Sequence, residues 1–210
     1  MARDRPRSAV EPFERLFARG ADPWGYESAG SADVRNAAAF ELLEDWLPER
    51  EGRPVRALEI GCAEGSFTSQ LASRCDEVHA VDISPTALER ARQRCASLSN
   101  VSFEVCDART DALPGRFDLI ICMDVACCLH RPLTQYRTMA RIGRALNPGG
   151  ALLVASVIQE PLIEDAWWSV PLGRGAASIT RRWSSAIGMV RRREERTTPL
   201  HRLLLAVKPG

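Results

Sequence analysis

From Arg56 to Val157 the sequence alternates between short apolar runs and stretches with helical spacing, and that rhythm limits the folds open to it. "RALEIG" is a five- or six-residue run of strand formers, and "SFTSQLASRC" follows with apolar residues one helical turn apart. "EVHAVDIS", "VSFEVCDA", "FDLIICMD" and "GALLVASV" are four further strands. "SPTALERARQRCASL" and "RPLTQYRTMARIGRALN" are the helices between them, the first with Pro85 suited to its opening turn and the second stopped at "NPGG". Strands that alternate with helices build a parallel sheet covered on both faces. After Ser156 the rhythm is lost; "GMVRRREER" and "PLHRLLLAVKP" read as an antiparallel pair turning near Thr197 to Pro199. Five parallel strands with an antiparallel hairpin at one edge is the expected architecture.

Before this core, Ser31 to Leu47 carries helical spacing at Val34, Ala37, Ala38, Leu42 and Trp46, with Ser31 or Asp33 as its cap and Pro48 as its stop. "DPWGYESAG" ahead of it is rich in turn formers. Met1 to about Pro12 reads as loose chain, and Phe13 to Phe17 as a short helix or turn. Residues 1–210 are expected to form a single domain, with 1–47 a helical lid and 54–210 the core. A net charge of +1 argues against a general attraction to nucleic acid or membrane, and no apolar run is long enough to span a bilayer. The seven cysteines fit reduced thiols, and the charged N-terminus lacks a secretory apolar region; both point to the cytoplasm.

The chemistry starts in the loop "ALEIGCAEGSF". A glycine-bearing turn between strand and helix lets a ligand approach the backbone closely. Asp82, at the tip of the next strand and 17 residues after Gly65, is spaced to hold a ribose diol. A dinucleotide fingerprint starting at Gly61 fails at Ala63 and Ser66. The pattern acid-x-G-x-G-x-G fails only at Ala63, with Glu59, Gly61 and Gly65 in place. An acid before the first glycine suits an ammonium group and would repel a pyrophosphate.

"LEIGCAEG", Asp82 in "VDIS", "CDA" at 106–108, "FDLIICMDV" and "LNPGGALLVAS" occur in one order, and together they resemble the class I S-adenosylmethionine-dependent methyltransferases. "DPWGYES", the helix after it and the short basic hairpin at the end resemble the NodS-like small-molecule methyltransferases. The resemblance implies a Rossmann-like methyltransferase fold, with S-adenosyl-L-methionine as cofactor and S-adenosyl-L-homocysteine as product. It places Gly61, Cys62 and Ala63 under the methionine part, with Gly65 closing the loop and Glu59 beneath. It gives Asp82 the ribose diol, Ile83 the adenine face, Asp107 the adenine amino group and the Ala108 N–H a ring nitrogen. Met123 and Asp124 then border the sulfonium, and Arg35 meets the cofactor carboxylate. Ala63 replaces the middle glycine, which is tolerable at negative φ.

Relatives of this type often carry an aromatic–acid–basic cluster after "DPW"; here the stretch is "GSADVRNAA", and only Arg35 matches it. The expected acceptor is therefore a small molecule with an N or O nucleophile, an amino sugar or a bacterial natural-product intermediate. Trp24 and Tyr26 either plug the sheet or contact that acceptor. "DVACCLHRP" follows the fourth strand, where acceptor-facing residues belong; it offers His130 as a base or as a helix cap, with Cys127 beside it. Cys122, Cys127, Cys128 and His130 lack metal-ligand spacing, so no metal is expected. His79 and His201 read as structural, with His201 able to reach the pocket rim. RNA or protein methylation is the alternative function, and a binding module without catalysis a third. No nucleic acid or membrane partner is expected, and the chain is expected to be a monomer or homodimer.

Overall fold

The computed structural model describes residues 10–25, 30–47, 52–129, 132–157 and 192–210. Two helices lead, α1 (Val10–Arg19) and α2 (Ser31–Glu44). There follow β1 (Arg56–Ile60), α3 (Ser66–Leu71), β2 (Glu77–Asp82), α4 (Pro85–Arg94), β3 (Val101–Val105), β4 (Phe117–Met123), α5 (Pro132–Ala145), β5 (Leu146–Val157), β6 (Arg192–Thr197) and β7 (His201–Val207). They form one seven-stranded sheet in the order β3-β2-β1-β4-β5-β7-β6. The first five strands pair in parallel, and β7 joins β5 and β6 antiparallel.

The order reverses between β1 and β4, whose register runs from Ala57 opposite Leu119 to Ile60 opposite Cys122. The connections from these two strands leave in opposite directions, so a crevice opens above their carboxyl ends. All seven residues of β4 are buried, as expected for the central strand of a sheet covered on both faces.

One face packs Leu119, Ile121, Leu153, Leu203 and Leu205 against α2 and α3. The other packs Leu58, Ile120, Leu152 and Val154 against Met139 and Ile142 of α5. α2 is fixed by fully buried Leu42, Leu43 and Trp46, and by Phe40, whose ring stacks on Phe67 of α3 at 4.8 Å. α4 begins as a proline-led helix should: Pro85 sits in its first turn, and the Ser84 hydroxyl accepts the N–H of Ala87. At the far end of the sheet the chain's sole lysine, Lys208, donates from its ammonium to the carbonyls of Gly143 and Leu146. That charge satisfies the exposed acceptors where α5 ends.

Several boundaries depart from the sequence reading. α2 is preceded by Gly30 in the left-handed region at φ 67, with no side-chain cap, so neither Ser31 nor Asp33 caps it. α1 begins at Val10, inside the stretch read as loose chain, because Phe17 is buried and packs edge-to-face on Trp24 at 5.3 Å. α3 stops at Leu71 after six residues. β5 starts at Leu146 rather than after "NPGG", since Leu146 already pairs with Phe117 before the register shifts. Residues 158–180, past the point where the strand–helix rhythm is lost, lie outside the described residues.

Phe40 is the side chain that clamps α2 over the start of α3, and Phe40→Ala removes both its burial and its stacking. The expected loss is about 3–5 kcal/mol, read as a lower urea midpoint at unchanged slope.

Candidate functional site

The carboxyl ends of β1, β2 and β4 meet at the loop 61–65. Its backbone is folded back on β2: the Gly61 and Cys62 N–H groups donate to the Val81 carbonyl at 2.7 and 3.1 Å, and the Gly65 N–H to Cys62 at 2.9 Å. Gly61 has φ 76, and a Cβ there would stand 2.2 Å from Cγ2 of Val125, just beyond β4. Gly65 has φ 77, and its Cβ would press on Ala91 of α4 at 3.0 Å. Both glycines are thus required by conformation and by space.

Ala63 corrects an expectation. Its φ is 49, in the left-handed region, not negative. A side chain there costs about 1 kcal/mol or more. The compensation lies in its N–H, which donates to Oδ2 of Asp82 at 2.9 Å. The other oxygen of Asp82 accepts the N–H of Ser84 at 2.9 Å. Asp82 is therefore the joint between the β1 loop and the start of α4. Burial pushes its carboxyl above the usual range, and the backbone donors only partly offset this. Two accepted bonds leave further lone pairs on the carboxylate, enough for a diol.

Glu59, 4% exposed, accepts the Thr68 hydroxyl at 2.6 Å. Burial raises its carboxyl to about 7, against the Thr68 bond and the Arg35 charge. Cys62 is also buried, and its thiol is pushed up by that burial, so it acts as a packing group rather than a nucleophile.

The α1 segment fastens to this site through residues the sequence reading missed. Glu14 accepts the Ser84 hydroxyl at 2.6 Å and also the Thr86 hydroxyl. Arg90 of α4 donates to the Phe17 and Gly20 carbonyls at 2.9 and 2.8 Å, and pairs with Glu64 at 2.6 Å. Glu64 in turn accepts the Asp22 N–H at 2.9 Å. The available signal was the Phe13–Phe17 spacing, one helical turn long and flanked by charges.

On the β4 side, Asp124 also has a positive φ, 57, which an aspartate tolerates, and its N–H donates to Ala155. Arg35 reaches it from α2: Nη1 donates to Oδ2 at 2.8 Å. His201, at the start of β7 and 1% exposed, brings Nε2 to 3.4 Å from the same oxygen. Burial would raise the Asp124 carboxyl, but the His201 bond and the Arg35 charge outweigh it and hold it below its ordinary value. The family resemblance implies a ligand carboxylate for Arg35; here it pairs with a carboxylate of the protein.

Asp107 is half-engaged by its own neighbour. Arg109 donates to both its oxygens, at 2.8 and 2.6 Å, and outweighs burial to hold the carboxyl below its ordinary value. Ala108 and Met123 are buried, and Ile83 is partly exposed, all at the same end of the sheet. His79 bonds to Ser102 and Glu104 on β3, away from the crevice. His130, Tyr26 and the side chain of Cys127 lie outside the described residues. Among the described residues, no group of three or more acids, cysteines or histidines is arranged to hold a metal, and no helix is long and apolar enough to cross a membrane.

Residues 57–150 match the family described as a methyltransferase domain. Nodulation protein S of Bradyrhizobium diazoefficiens is 28% identical over 172 residues, 82% of this chain and 78% of that protein. The Rhizobium tropici protein of the same name is 33% identical over 135 residues, 64% of this chain and 55% of that one. In structure, N-methyltransferase NodS from Bradyrhizobium japonicum WM9, in complex with S-adenosyl-L-homocysteine, superposes with TM-score 0.71 at 24% identity, covering 96% of this chain and 98% of that one. The DhpI–SAH complex gives TM-score 0.72 at 19% identity, over 98% and 99%. The structural likenesses show a Rossmann-like fold. Residues 57–150 match a methyltransferase domain, and over most of its length the chain is similar to nodulation protein S.

Glu59 gives a sign that can be worked out. Its folded value of about 7 lies above the ordinary value of 4.5, so the folded state keeps the proton longer. This contribution to stability is present below about pH 4.5 and lost as pH rises through about 7, a loss of roughly 3 kcal/mol at most. Glu59→Gln should remove that slope and leave the cofactor-free protein more stable than the parent at pH 8, measured by urea unfolding at pH 5 and 8.

Proposed function

We infer that the chain transfers the methyl group of S-adenosylmethionine to an N or O nucleophile on a small molecule, an amino sugar or a bacterial natural-product intermediate. The observation that carries the cofactor side is Asp82: a buried carboxylate, locked to the loop by Ala63 and to α4 by Ser84, with lone pairs left for two hydroxyls. Fit is supported by the shape of the loop, which Gly61 fixes by letting Val125 pack against its bare Cα, where a Cβ would stand 2.2 Å from Cγ2. When bound, S-adenosylmethionine supplies an activated methyl group on a sulfonium.

The chain's own residues then have separable tasks. Asp82 holds the ribose and Ile83 flanks the adenine. The Ala108 N–H and Asp107 serve the base edge, with Arg109 orienting Asp107. Arg35 takes the amino-acid carboxylate and Glu59, under the loop, offsets the ammonium. The backbone of Gly61, Cys62, Ala63 and Gly65 forms the floor. Met123 and Asp124 border the reacting carbon. Methyl transfer needs nucleophile, carbon and sulfur in line, so holding them is the main catalytic work. His130 is proposed as the base that keeps the acceptor neutral, with Trp24, Tyr26 and Cys127 on the acceptor side.

The small-molecule reading is supported by the likeness to nodulation protein S and by a net charge of +1, which offers no field for RNA. The chain is proposed to work as one unit, with residues 1–47 covering the site and 54–210 forming the core.

Asp82→Ala strands two ribose hydroxyls. Calorimetry with S-adenosylmethionine should show affinity lower by at least about thirty-fold; unchanged affinity overturns the placement. The acceptor is reached by methyl transfer from labelled cofactor against a panel of amino sugars and natural-product intermediates.

A further inference from the structure

Thr68 carries a buried hydroxyl that the tasks given above leave unused. It stands in α3 with no exposed surface, and Oγ1 donates to Oε2 of Glu59 at 2.6 Å. Glu59 belongs to β1 and Thr68 to the helix after the 61–65 loop. One short bond thus ties together the two elements that the loop joins. Phe67 beside Thr68 and Leu71 further along the helix are buried in the apolar core. Valine has the shape of threonine and would serve packing alone, so the hydroxyl has another use.

We propose that Thr68 is a positioning residue for the cofactor's amino end: its hydroxyl holds the Glu59 carboxylate in place, as an acceptor, for the ammonium of S-adenosylmethionine. The proposal rests on the reading above that Glu59 offsets that ammonium. A carboxylate taken out of water loses hydration, and a donor to its charged form returns part of the loss. Among the described residues, Thr68 is the hydrogen-bond donor to Glu59. The hydroxyl gives one proton to one oxygen, so lone pairs stay open on the carboxylate for a ligand N–H. Without the hydroxyl, the same burial favours the protonated acid, which has no charge to offer an ammonium.

The other groups around Glu59 bear on this. Burial raises its carboxyl to about 7, and the Thr68 bond is the largest influence in the opposite direction. Arg35 of α2 also favours the charged form, and Asp82 of β2 opposes it. Cys62 of the loop and Cys95, just after α4, feel the Glu59 charge. Burial pushes both thiols up, so they stay neutral around pH 7 and add no charge of their own. Arg35 keeps its charge throughout. Asp82 serves the ribose, which two ligands can share, so its influence divides out when they differ only at the amine.

The test uses S-adenosylhomocysteine, which carries the ammonium, and its des-amino analogue, which keeps the carboxylate and lacks the amine. Calorimetry is run on the parent, Thr68→Val and Thr68→Ser between about pH 5.5 and about pH 8.5. The quantity read is the affinity for S-adenosylhomocysteine divided by that for the analogue. In the parent this ratio is expected to fall as pH drops through about 7, where Glu59 takes up its proton. In Thr68→Val the fall should come about one pH unit higher, with the ratio at about pH 7 some five-fold lower. Thr68→Ser keeps the hydroxyl and should restore the parent's profile. In Glu59→Gln, adding Thr68→Val should leave the ratio unmoved. A Thr68→Val profile that matches the parent's overturns the proposal. So does a Thr68→Ser profile that follows Thr68→Val, which would make the residue one of packing alone. A parent ratio that is constant with pH overturns the placement of Glu59 at the ammonium, and a parent that binds neither ligand overturns the cofactor reading itself. If Thr68→Val does not fold, Thr68→Ala takes its place and is judged by the same profile.

Discussion

The site depends on one carboxylate accepting two backbone N–H groups. Asp82 binds the loop after β1 through Ala63 and the start of α4 through Ser84. Without this joint, an alanine in the left-handed region would be a cost with no return, and the Gly61–Gly65 turn would lack its second anchor. Ser84 extends the arrangement by capping α4 and donating to Glu14, which brings α1 down onto the same corner. A chain of short polar contacts thus runs from the N-terminal helix to the loop floor, and each contact depends on the aspartate staying put.

Much of the scaffold was legible in the sequence, for physical reasons. β1, β2 and β4 are apolar runs of strand length bounded by turn residues, a pattern with few other readings. The loop and Asp82 were readable because the spacing of glycines and an acid reflects backbone geometry. The edge hairpin was readable from its length and turn. What escaped was long-range: α1 looked loose because its stability comes from Phe17 burial and from Glu14 and Arg90 contacts some 70 residues away in sequence. The conformation of Ala63 escaped because it is set by Asp82, and residue type alone favours the opposite sign of φ.

Arg35 and His201 show the same limit at the site. The arginine was singled out on sequence, but its partner in the fold, Asp124, lies 89 residues on. His201 reads on sequence as a structural residue of a hairpin that is able to reach the pocket rim. Only the pairing of β7 with β5, Val157 opposite His201, carries that ring to the carboxyl end of the parallel strands. An antiparallel strand inserted beside β5 thus delivers the first residue of the final strand to the end where the other strands finish.

The single lysine has a consequence of its own. With arginine supplying every other basic side chain, Lys208 is the one ε-amine in the chain, and it is occupied in holding the carbonyls at the end of α5. Reagents that acylate or crosslink amines therefore have one side-chain target here, at the opposite end of the sheet from the Asp82 corner. The surface is nearly silent to lysine acetylation and ubiquitin-type tagging, while its positive charge survives at any pH a cell reaches.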